Sequence, residues 1–498
     1  MPASAYDQLV ALAREIALLT STEALLSWDQ ETYMPAGALD HRARQLAYLN
    51  GKAHGLATSN AFRRLLDKAE GQTSETPYHA GNLRELRRQH ERAARLPQRL
   101  VQEESAACAH AKAAWTEARR KTDFTNFAPH LQVLVDLARR KADLWGYTDE
   151  PYDALLETYE RGARTRAIAE LFDRLRPELA AIAQEAVARS AGRKSALPGG
   201  RYPVAKQQQL NAEIAASIGF DLDCGRIDTT AHPFCTTLGP RDVRLTTRYD
   251  ERDFTSSLFG VLHEAGHGLY EQGLPPGDFG LPSGTSCSLG IHESQSRLWE
   301  NHVGRSRPFW EKWLPRAREL FPQLRKVRLN DFLRHLHRAR YSYIRVEADE
   351  ATYDLHILLR FDIERRLILG ELPVAQVPEA WNAGFRELFG MTPPDAARGC
   401  LQDIHWSMGG LGYFATYTLG NLNAAQLFAT ARRQRRIAAG LEKADYAPLL
   451  AWLREKVHNQ GGALLPGEIM ANATGKPTQA QWHLKHLRAR FLQNAKKS

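Results

Sequence analysis

The sequence predicts a mainly α-helical protein that carries one short β segment. Apolar residues recur at helical spacing over most of the first 190 residues, beginning with Leu9, Leu12 and Ile16. The same periodicity resumes over residues 329–369 and again from Ala424 to the C-terminus. Proline and glycine are sparse in the N-terminal part, so we expect long helices there.

The pattern changes between residues 226 and 249. Thr, Val and aromatic residues alternate there with polar ones around Gly239-Pro240, which predicts a hairpin or small sheet. Polar capping residues from Asp253 then begin a helix with an apolar face. A loop rich in Gly, Pro and Ser spans residues 273–290, and a second amphipathic helix follows it. The glycine-dense stretch at 408–414 predicts a turn whose backbone comes close to another segment.

Composition narrows the class of protein. With 43% hydrophobic and 25% charged residues, the 498-residue chain reads as globular and soluble. Neither an 18-residue apolar run nor a signal sequence is visible, and the five cysteines are scattered without a CxxC pair, so we expect a cytoplasmic protein with reduced thiols and no membrane partner. The net charge is +9, but basic residues are dispersed among acidic ones, which argues against a nucleic-acid partner.

The most informative motif is His263-Glu264-Ala265-Gly266-His267. On a helix the two histidines stand at i and i+4, so both imidazoles leave one face and can bind one metal ion, with Glu264 beside them as a base. A catalytic zinc usually takes a third protein ligand, and Glu293, 26 residues after His267, is placed to supply it. Alternatively, Glu293 accepts a hydrogen bond from a ligand histidine. Its neighbour His292 should point elsewhere and is not predicted to be a ligand.

Six motifs follow one another along the chain. They are His232-Pro233-Phe234, Asp242-Val243-Arg244-Leu245-Thr246, His263-Glu264-Ala265-Gly266-His267, His292-Glu293-Ser294-Gln295, Ile344-Arg345-Val346-Glu347-Ala348-Asp349 and Gly399-Cys400-Leu401-Gln402-Asp403-Ile404-His405-Trp406. Together they resemble the thermostable carboxypeptidase Taq family of metallocarboxypeptidases. The string Trp28-Asp29-Gln30-Glu31-Thr32-Tyr33-Met34-Pro35 is also similar to the family's N-terminal region, so the resemblance runs nearly end to end.

The resemblance implies a helical fold of the neurolysin and angiotensin-converting-enzyme group. In such a fold residues 1–498 form one domain, with two helical lobes flanking a deep central groove and a small β-sheet next to the metal helix. It further implies a homodimer that removes C-terminal amino acids from peptides by attack of a metal-activated water. Broad specificity with proline disfavoured is expected, with Zn²⁺ as the metal and Co²⁺ as the alternative. The expected partners are peptides with a free C-terminal carboxylate.

A carboxypeptidase must bind the terminal carboxylate, and an arginine suits this role because its planar fork contacts both oxygens. Arg345 is the first candidate and Arg244 the reserve. The alternatives are ion pairs, in which Arg345 pairs with nearby carboxylates and Arg244 pairs with Asp242.

Negative charge that develops on the carbonyl oxygen calls for donors beyond the metal. His405 and Tyr417 are the candidates, and Tyr413 competes with Tyr417 for the role. His232 is similar to the histidine that related enzymes use to contact the substrate backbone, and a structural histidine is the alternative.

Two rival functions remain from the sequence. An oligopeptidase would cut inside short peptides and would not need the carboxylate clamp. A scaffold protein would keep the metal and the fold without turnover, but the intact Glu264 argues against it.

Overall fold

The structure, a computed structural model, describes residues 3–71, 77–193 and 195–493. It is mainly helical with one small three-stranded sheet, as predicted. The α-helices of the described residues are α1 Ala5–Thr32, α2 Leu39–Ala57, α3 Asn60–Glu70, α4 Pro77–Ala94, α5 Gln98–Lys121, α6 Ala128–Trp145, α7 Pro151–Leu156, α8 Thr165–Ser190, α9 Val204–Ser217, α10 Phe254–Glu271, α11 Leu289–Arg297, α12 Arg307–Leu320, α13 Leu329–Leu336, α14 Tyr353–Leu369, α15 Val377–Phe389, α16 Ala415–Ala431, α17 Arg435–Glu442, α18 Ala447–Lys456, α19 Pro466–Thr474 and α20 Gln481–Leu487.

Two compact units divide the chain, and each has its own apolar core. In unit 1 the core surrounds α10, where Leu262 and Leu269 are fully buried together with Trp299. In unit 2 the core surrounds α14, through residues such as Leu358 and Phe361. Unit 1 comprises residues 1–94, 195–336 and 423–478, and unit 2 comprises residues 95–194, 337–422 and 479–498. No helix among the described residues is long and apolar enough to span a bilayer.

The small sheet lies in unit 1 next to α10. Its strands are β1 Gly225–Thr229, β2 Cys235–Gly239 and β3 Asp242–Thr247, in the order β1-β3-β2. β2 and β3 form an antiparallel hairpin around Gly239-Pro240, and β1 pairs with β3 in parallel. The buried Val243 and Leu245 of β3 belong to the same core as α10. The predicted sheet therefore packs beside the predicted metal helix.

The helical periodicity over residues 329–369 corresponds to two helices and not to one. α13 ends at Leu336, α14 begins at Tyr353, and the residues between are irregular apart from a short 3₁₀ turn over Arg345–Glu347. Backbone N–H groups in this segment donate to side chains and not to helix carbonyl groups. The N–H of Arg340 donates to Asp349, and the N–H of Arg345 donates to Gln402. Because Gln402 comes from a distant part of the chain, local periodicity does not reveal the break.

The glycine-dense turn at 408–414 makes the close approach that the sequence predicts. Gly412 has φ +95°, and a Cβ there would lie 2.9 Å from the carbonyl carbon of Leu155. Its N–H donates to the buried Glu364 of α14 at 3.0 Å, and the same carboxylate accepts from Trp406 Nε1 at 2.8 Å. Glu364 thus holds Trp406, next to His405, and Gly412, next to Tyr413.

Candidate metal centre

The helix α10 carries the first two predicted ligands. Asp253 is its N-cap, because its carboxylate accepts a hydrogen bond from Thr255 N at 2.9 Å. Apolar residues bury most of the helix, so its polar residues His263, Glu264 and His267 are held in a rigid element. The N-cap is the first residue of the polar stretch 253–257 that the sequence predicted to begin this helix.

The third predicted ligand comes from α11. Ser288 caps that helix by accepting from Ile291 N, and Glu293 lies one turn into it with only 5% of its surface exposed. Glu293 Oε2 is 3.6 Å from His263 Nε2 and 3.3 Å from His267 Nε2. One ligand atom from each residue lies within 4.8 Å of the others. The structure therefore brings the three residues together around one point.

This donor set fits a divalent ion of the zinc type. Both histidines direct Nε2 towards Glu293, while the Nδ1 atoms face other partners, so two nitrogens and one carboxylate oxygen converge. Two imidazoles and a carboxylate are a common protein set for catalytic zinc. His263, His267 and Glu293 are the residues that would hold the ion.

Glu264 lies beside the first ligand on the same helix and is 7% exposed. Burial raises the pKa of its carboxyl to about 7, with a further upward contribution from the charge of Glu293. A carboxyl whose pKa lies near neutrality is matched to proton transfer at neutral pH. Its environment therefore suits proton transfer near neutral pH.

Glu300, which was not among the residues predicted from the sequence, contacts His263, the first predicted ligand. Its Oε2 lies 3.0 Å from His263 Nδ1, and Arg305 donates to its other oxygen at 3.2 Å. Burial opposes its ionisation, but the hydrogen bond from His263 and the nearby arginines bring its pKa to about 2. Arg297 connects it to the third ligand, with Nε donating to Glu293 at 2.6 Å and Nη1 to Glu300 at 3.3 Å.

The missed signal was the seven-residue spacing from Glu293 to Glu300, which on a helix returns to nearly the same face. A π-helical turn over Leu298–Val303 carries Glu300, and such turns concentrate at functional sites. His292 also departs from expectation. It is absent from the ligand group, but its ring packs on that of His267 at 4.5 Å between centroids instead of pointing elsewhere.

Gly266, between the ligand histidines, allows the two ligand helices to touch. A Cβ at this position would lie 2.5 Å from Ser296 Cα and 2.6 Å from Gln295 O, both in α11. We expect Gly266→Ala to push α11 away, to cost about 1–3 kcal/mol of unfolding free energy and to weaken zinc binding. Thermal unfolding and zinc competition assays measure these effects.

Gly55→Ala is the matched control for this prediction, because a Cβ at Gly55 in α2 would meet nothing within 4 Å. It should be neutral or slightly stabilising, since alanine favours a helix interior over glycine. Equal behaviour of the two variants would contradict the proposed steric role of Gly266.

Arg345, in unit 2, is held in an ion pair and is 5% exposed. Its Nε and Nη2 donate to Asp403 Oδ1 at 3.0 and 2.8 Å, and its Nη1 donates to Tyr353 OH at 2.7 Å. The other oxygen of Asp403 accepts from the buried Arg360 Nε at 2.7 Å. Two guanidinium groups thus share one carboxylate, which leaves this buried cluster with one excess positive charge.

His405 and the two candidate tyrosines cluster in the same unit. His405 Nε2 lies 3.3 Å from Tyr417 OH, and the rings of His405 and Tyr413 are 5.0 Å apart. Burial lowers the pKa of His405 to about 4, so the imidazole is neutral at neutral pH. The Tyr417 ring also stacks under the guanidinium of Arg345, 4.8 Å from its carbon.

The remaining two candidates lie in unit 1. Arg244 in β3 donates to both oxygens of Asp242, at 2.9 and 3.0 Å, and its guanidinium carbon is 4.2 Å from the ring centre of Trp28. The ion pair that the sequence offered as the alternative for Arg244 is therefore present. His232 is exposed in the connection from β1 to β2.

A mainly helical fold that supplies two histidines and a buried base from one helix, and a glutamate from the next, defines a metallopeptidase. The family model for the carboxypeptidase Taq (M32) metallopeptidases matches residues 8–491. The chain belongs to this family and is a metallocarboxypeptidase, a peptide hydrolase.

Named relatives and solved structures agree with this assignment. "Thermostable carboxypeptidase 1" of Thermus thermophilus is 41% identical, with 98% of this chain and 99% of the relative covered. Its namesake from Pyrococcus furiosus is 37% identical, with 97% and 98% covered. The crystal structure of an M32 carboxypeptidase from Deinococcus radiodurans superposes with a TM-score of 0.95 at 38% identity, covering 98% of each chain. Metallocarboxypeptidase 1 of Trypanosoma cruzi gives 0.94 at 34% identity, covering 98% and 99%.

Proposed function

We propose that the protein removes single C-terminal residues from peptides with a divalent ion, Zn²⁺ first and Co²⁺ as the alternative, held by His263, His267 and Glu293. The observation that carries this proposal is the convergence of these ligand atoms beside the buried Glu264. When bound, such an ion lowers the pKa of water and polarises the scissile carbonyl. Glu264 accepts the water proton and delivers it to the leaving amine.

We assign the terminal carboxylate of the substrate to Arg345, with Arg244 in reserve. The excess positive charge of the cluster of Arg345, Arg360 and Asp403 supports this assignment, because a buried net charge is stabilised by an anion. The bidentate pairing of Arg244 with Asp242 makes it the weaker candidate.

His405 and Tyr417 are assigned to the developing oxyanion, and Tyr413 is the competitor of Tyr417. Their mutual contact and the neutral state of His405 support this role, since a neutral imidazole and a phenol both donate hydrogen bonds. The exposed His232 is assigned to the substrate backbone. Broad specificity with proline disfavoured is carried over from the family resemblance.

Arg345→Lys tests the carboxylate assignment. Lysine keeps the charge but loses the planar fork, so kcat/KM for a free-acid peptide should fall about 10- to 100-fold, as the loss of charge-assisted hydrogen bonds predicts. The C-terminal amide of the same peptide should remain the poor substrate that it is for the wild type. The acid-to-amide ratio is an internal control, because partial misfolding would lower both rates together. An unchanged ratio would move the assignment to Arg244.

We also propose a homodimer that uses the surface of α1 and α2. Leu18 and Leu25 of α1 are 60% and 39% exposed, and Leu39 and Tyr48 of α2 are 54% and 65% exposed. Exposed apolar residues concentrated on two adjacent helices favour a protein partner, and here a second copy of the chain. Light scattering should report a dimer for the wild type and a monomer for the double variant Leu18→Glu, Tyr48→Glu. A wild-type monomer, or a dimer that survives both changes, would refute this interface.

A cytoplasmic location is proposed as well. All five cysteines are free, which suits a reducing compartment. Cell fractionation with an antibody to the protein tests this proposal.

Product analysis by mass spectrometry tests the main proposal. One unstructured peptide, as free acid and as amide, is incubated with metal-loaded and chelator-stripped enzyme. Stepwise loss of single residues from the free acid alone, abolished by chelation, is expected. Internal fragments from both peptides would instead establish an oligopeptidase, and no cleavage by the metallated protein would establish a scaffold.

A further inference from the structure

His292 connects a metal ligand to a second carboxylate. It precedes the ligand Glu293 in α11, and its side chain is 16% exposed. Its Nδ1 faces His267 Nδ1 within hydrogen-bond distance, and its Nε2 lies 2.7 Å from Glu271 Oε1. Glu271 stands one turn after His267 on α10, so the two α10 residues flank the His292 ring.

The proton positions in this chain of contacts follow from the ligand role of His267. Its Nε2 points towards Glu293 and must keep a lone pair for the ion, so Nδ1 carries the proton. His292 Nδ1 is then the acceptor, and its Nε2 carries a proton that it donates to Glu271. The hydroxyl of Thr237 in β2 donates to the second oxygen of Glu271 at 2.8 Å. Each ring holds one proton, and every contact pairs a donor with an acceptor.

We propose that His292 and Glu271 are positioning residues that orient the metal ligand His267 through a carboxylate–histidine–histidine chain. The two ligand histidines are thereby held differently. His263 contacts the carboxylate of Glu300 directly, whereas His267 reaches Glu271 only through the His292 ring. Partners that orient ligand histidines typically contribute 10- to 100-fold to metal affinity, roughly. The proposal rests on the metal centre under "Proposed function".

Zinc affinity, measured by chelator competition on the full-length apoprotein, gives a readout independent of peptidase activity. His292→Leu and Glu271→Ala should each bind zinc about 10- to 100-fold more weakly than the wild type. His292→Asn should recover part of the loss, because its Oδ1 can take the place of Nδ1 and accept from His267. His486→Ala is the matched control, since His486 is also 16% exposed and paired with a glutamate, Glu350, but lies in unit 2.

Proton NMR of the Co²⁺-loaded protein reports on the ring N–H groups of the ligand histidines. A residue that acted only through packing would leave these signals unchanged. The wild type should show two shifted, exchangeable ring N–H signals, from His263 and His267. His292→Leu should lose one of them to solvent exchange, and Glu300→Gln should perturb the other.

The outcomes separate the proposals. Wild-type zinc affinity in His292→Leu would overturn the inference. A second pattern would also overturn it: His292→Leu binds zinc more weakly, but Glu271→Ala binds zinc as the wild type does and His292→Asn recovers none of the lost affinity. The His292 ring would then act through packing alone. If His292→Leu does not fold, as judged by circular dichroism, Glu271→Ala decides, since it leaves both rings in place. Failure of the wild type to bind zinc would refute the metal centre itself.

Discussion

Replacing Glu264 by glutamine is expected to lower kcat by about 10²- to 10⁴-fold, the usual contribution of a general base. Glutamine has nearly the same shape but accepts no proton, so the variant removes the base and leaves the helix and the ligands in place. Burial raises the pKa of this carboxyl to about 7, which suits it to accept a proton near neutral pH. Steady-state kinetics and metal content by mass spectrometry measure the result.

Metal content decides how the loss of activity is interpreted. Full occupancy in Glu264→Gln supports the base, whereas stoichiometric loss of metal would make Glu264 a ligand or a structural residue. Glu311→Gln is the matched control, because Glu311 on α12 has a side chain that is 52% exposed and pairs only loosely with Arg307, at 3.6 Å. It should retain wild-type kinetics.

Glu293→Ala is expected to remove the metal itself and, with it, nearly all activity. Two histidines would remain from a site that needs three protein ligands, and Arg297 would lose its ion pair with Glu293. A ligand that binds only the folded state raises its stability by mass action. Zinc should therefore raise the melting temperature of the wild type and not that of the variant.

A Glu293→Ala variant that retains full metal would contradict the ligand role. It would favour the alternative in which Glu293 only accepts a hydrogen bond from a ligand histidine. Glu300→Ala gives the comparison, because it removes a carboxylate that contacts His263 without belonging to the ligand group. This variant should bind the metal more weakly than the wild type but should still bind it.

The parts that the sequence predicts well are those in which local spacing decides the geometry. Histidines at i and i+4 share a helix face whatever surrounds them, and Asp253 begins α10 because its carboxylate reaches a backbone N–H two residues on. The hairpin at Gly239-Pro240 is equally local. The three residues that converge, and the carboxylate of Glu264 beside them, could therefore be named from the sequence alone.

The parts that it missed depend on contacts between distant residues. The irregular segment before α14 exists because Gln402 reaches back to Arg345 N, 57 positions away. His292 contacts both His267 and Glu271 because α11 packs closely against α10. The sequence pattern of neither helix predicts the distance between the two helices. Glu300 lies on a π-helical turn next to the site, and the periodicity of the sequence does not predict a π-helical turn.

The contact between α10 and α11 at Gly266 affects how the site binds an ion. Because backbone atoms of the two helices meet there without an intervening side chain, rotamer changes cannot alter their separation. The two helices that carry the ligand residues are therefore already in place, so no entropy is lost in bringing them together when an ion enters. Selection among divalent ions would then rest on how well each ion's preferred bond lengths match a nearly fixed cage, rather than on how far the protein can adapt.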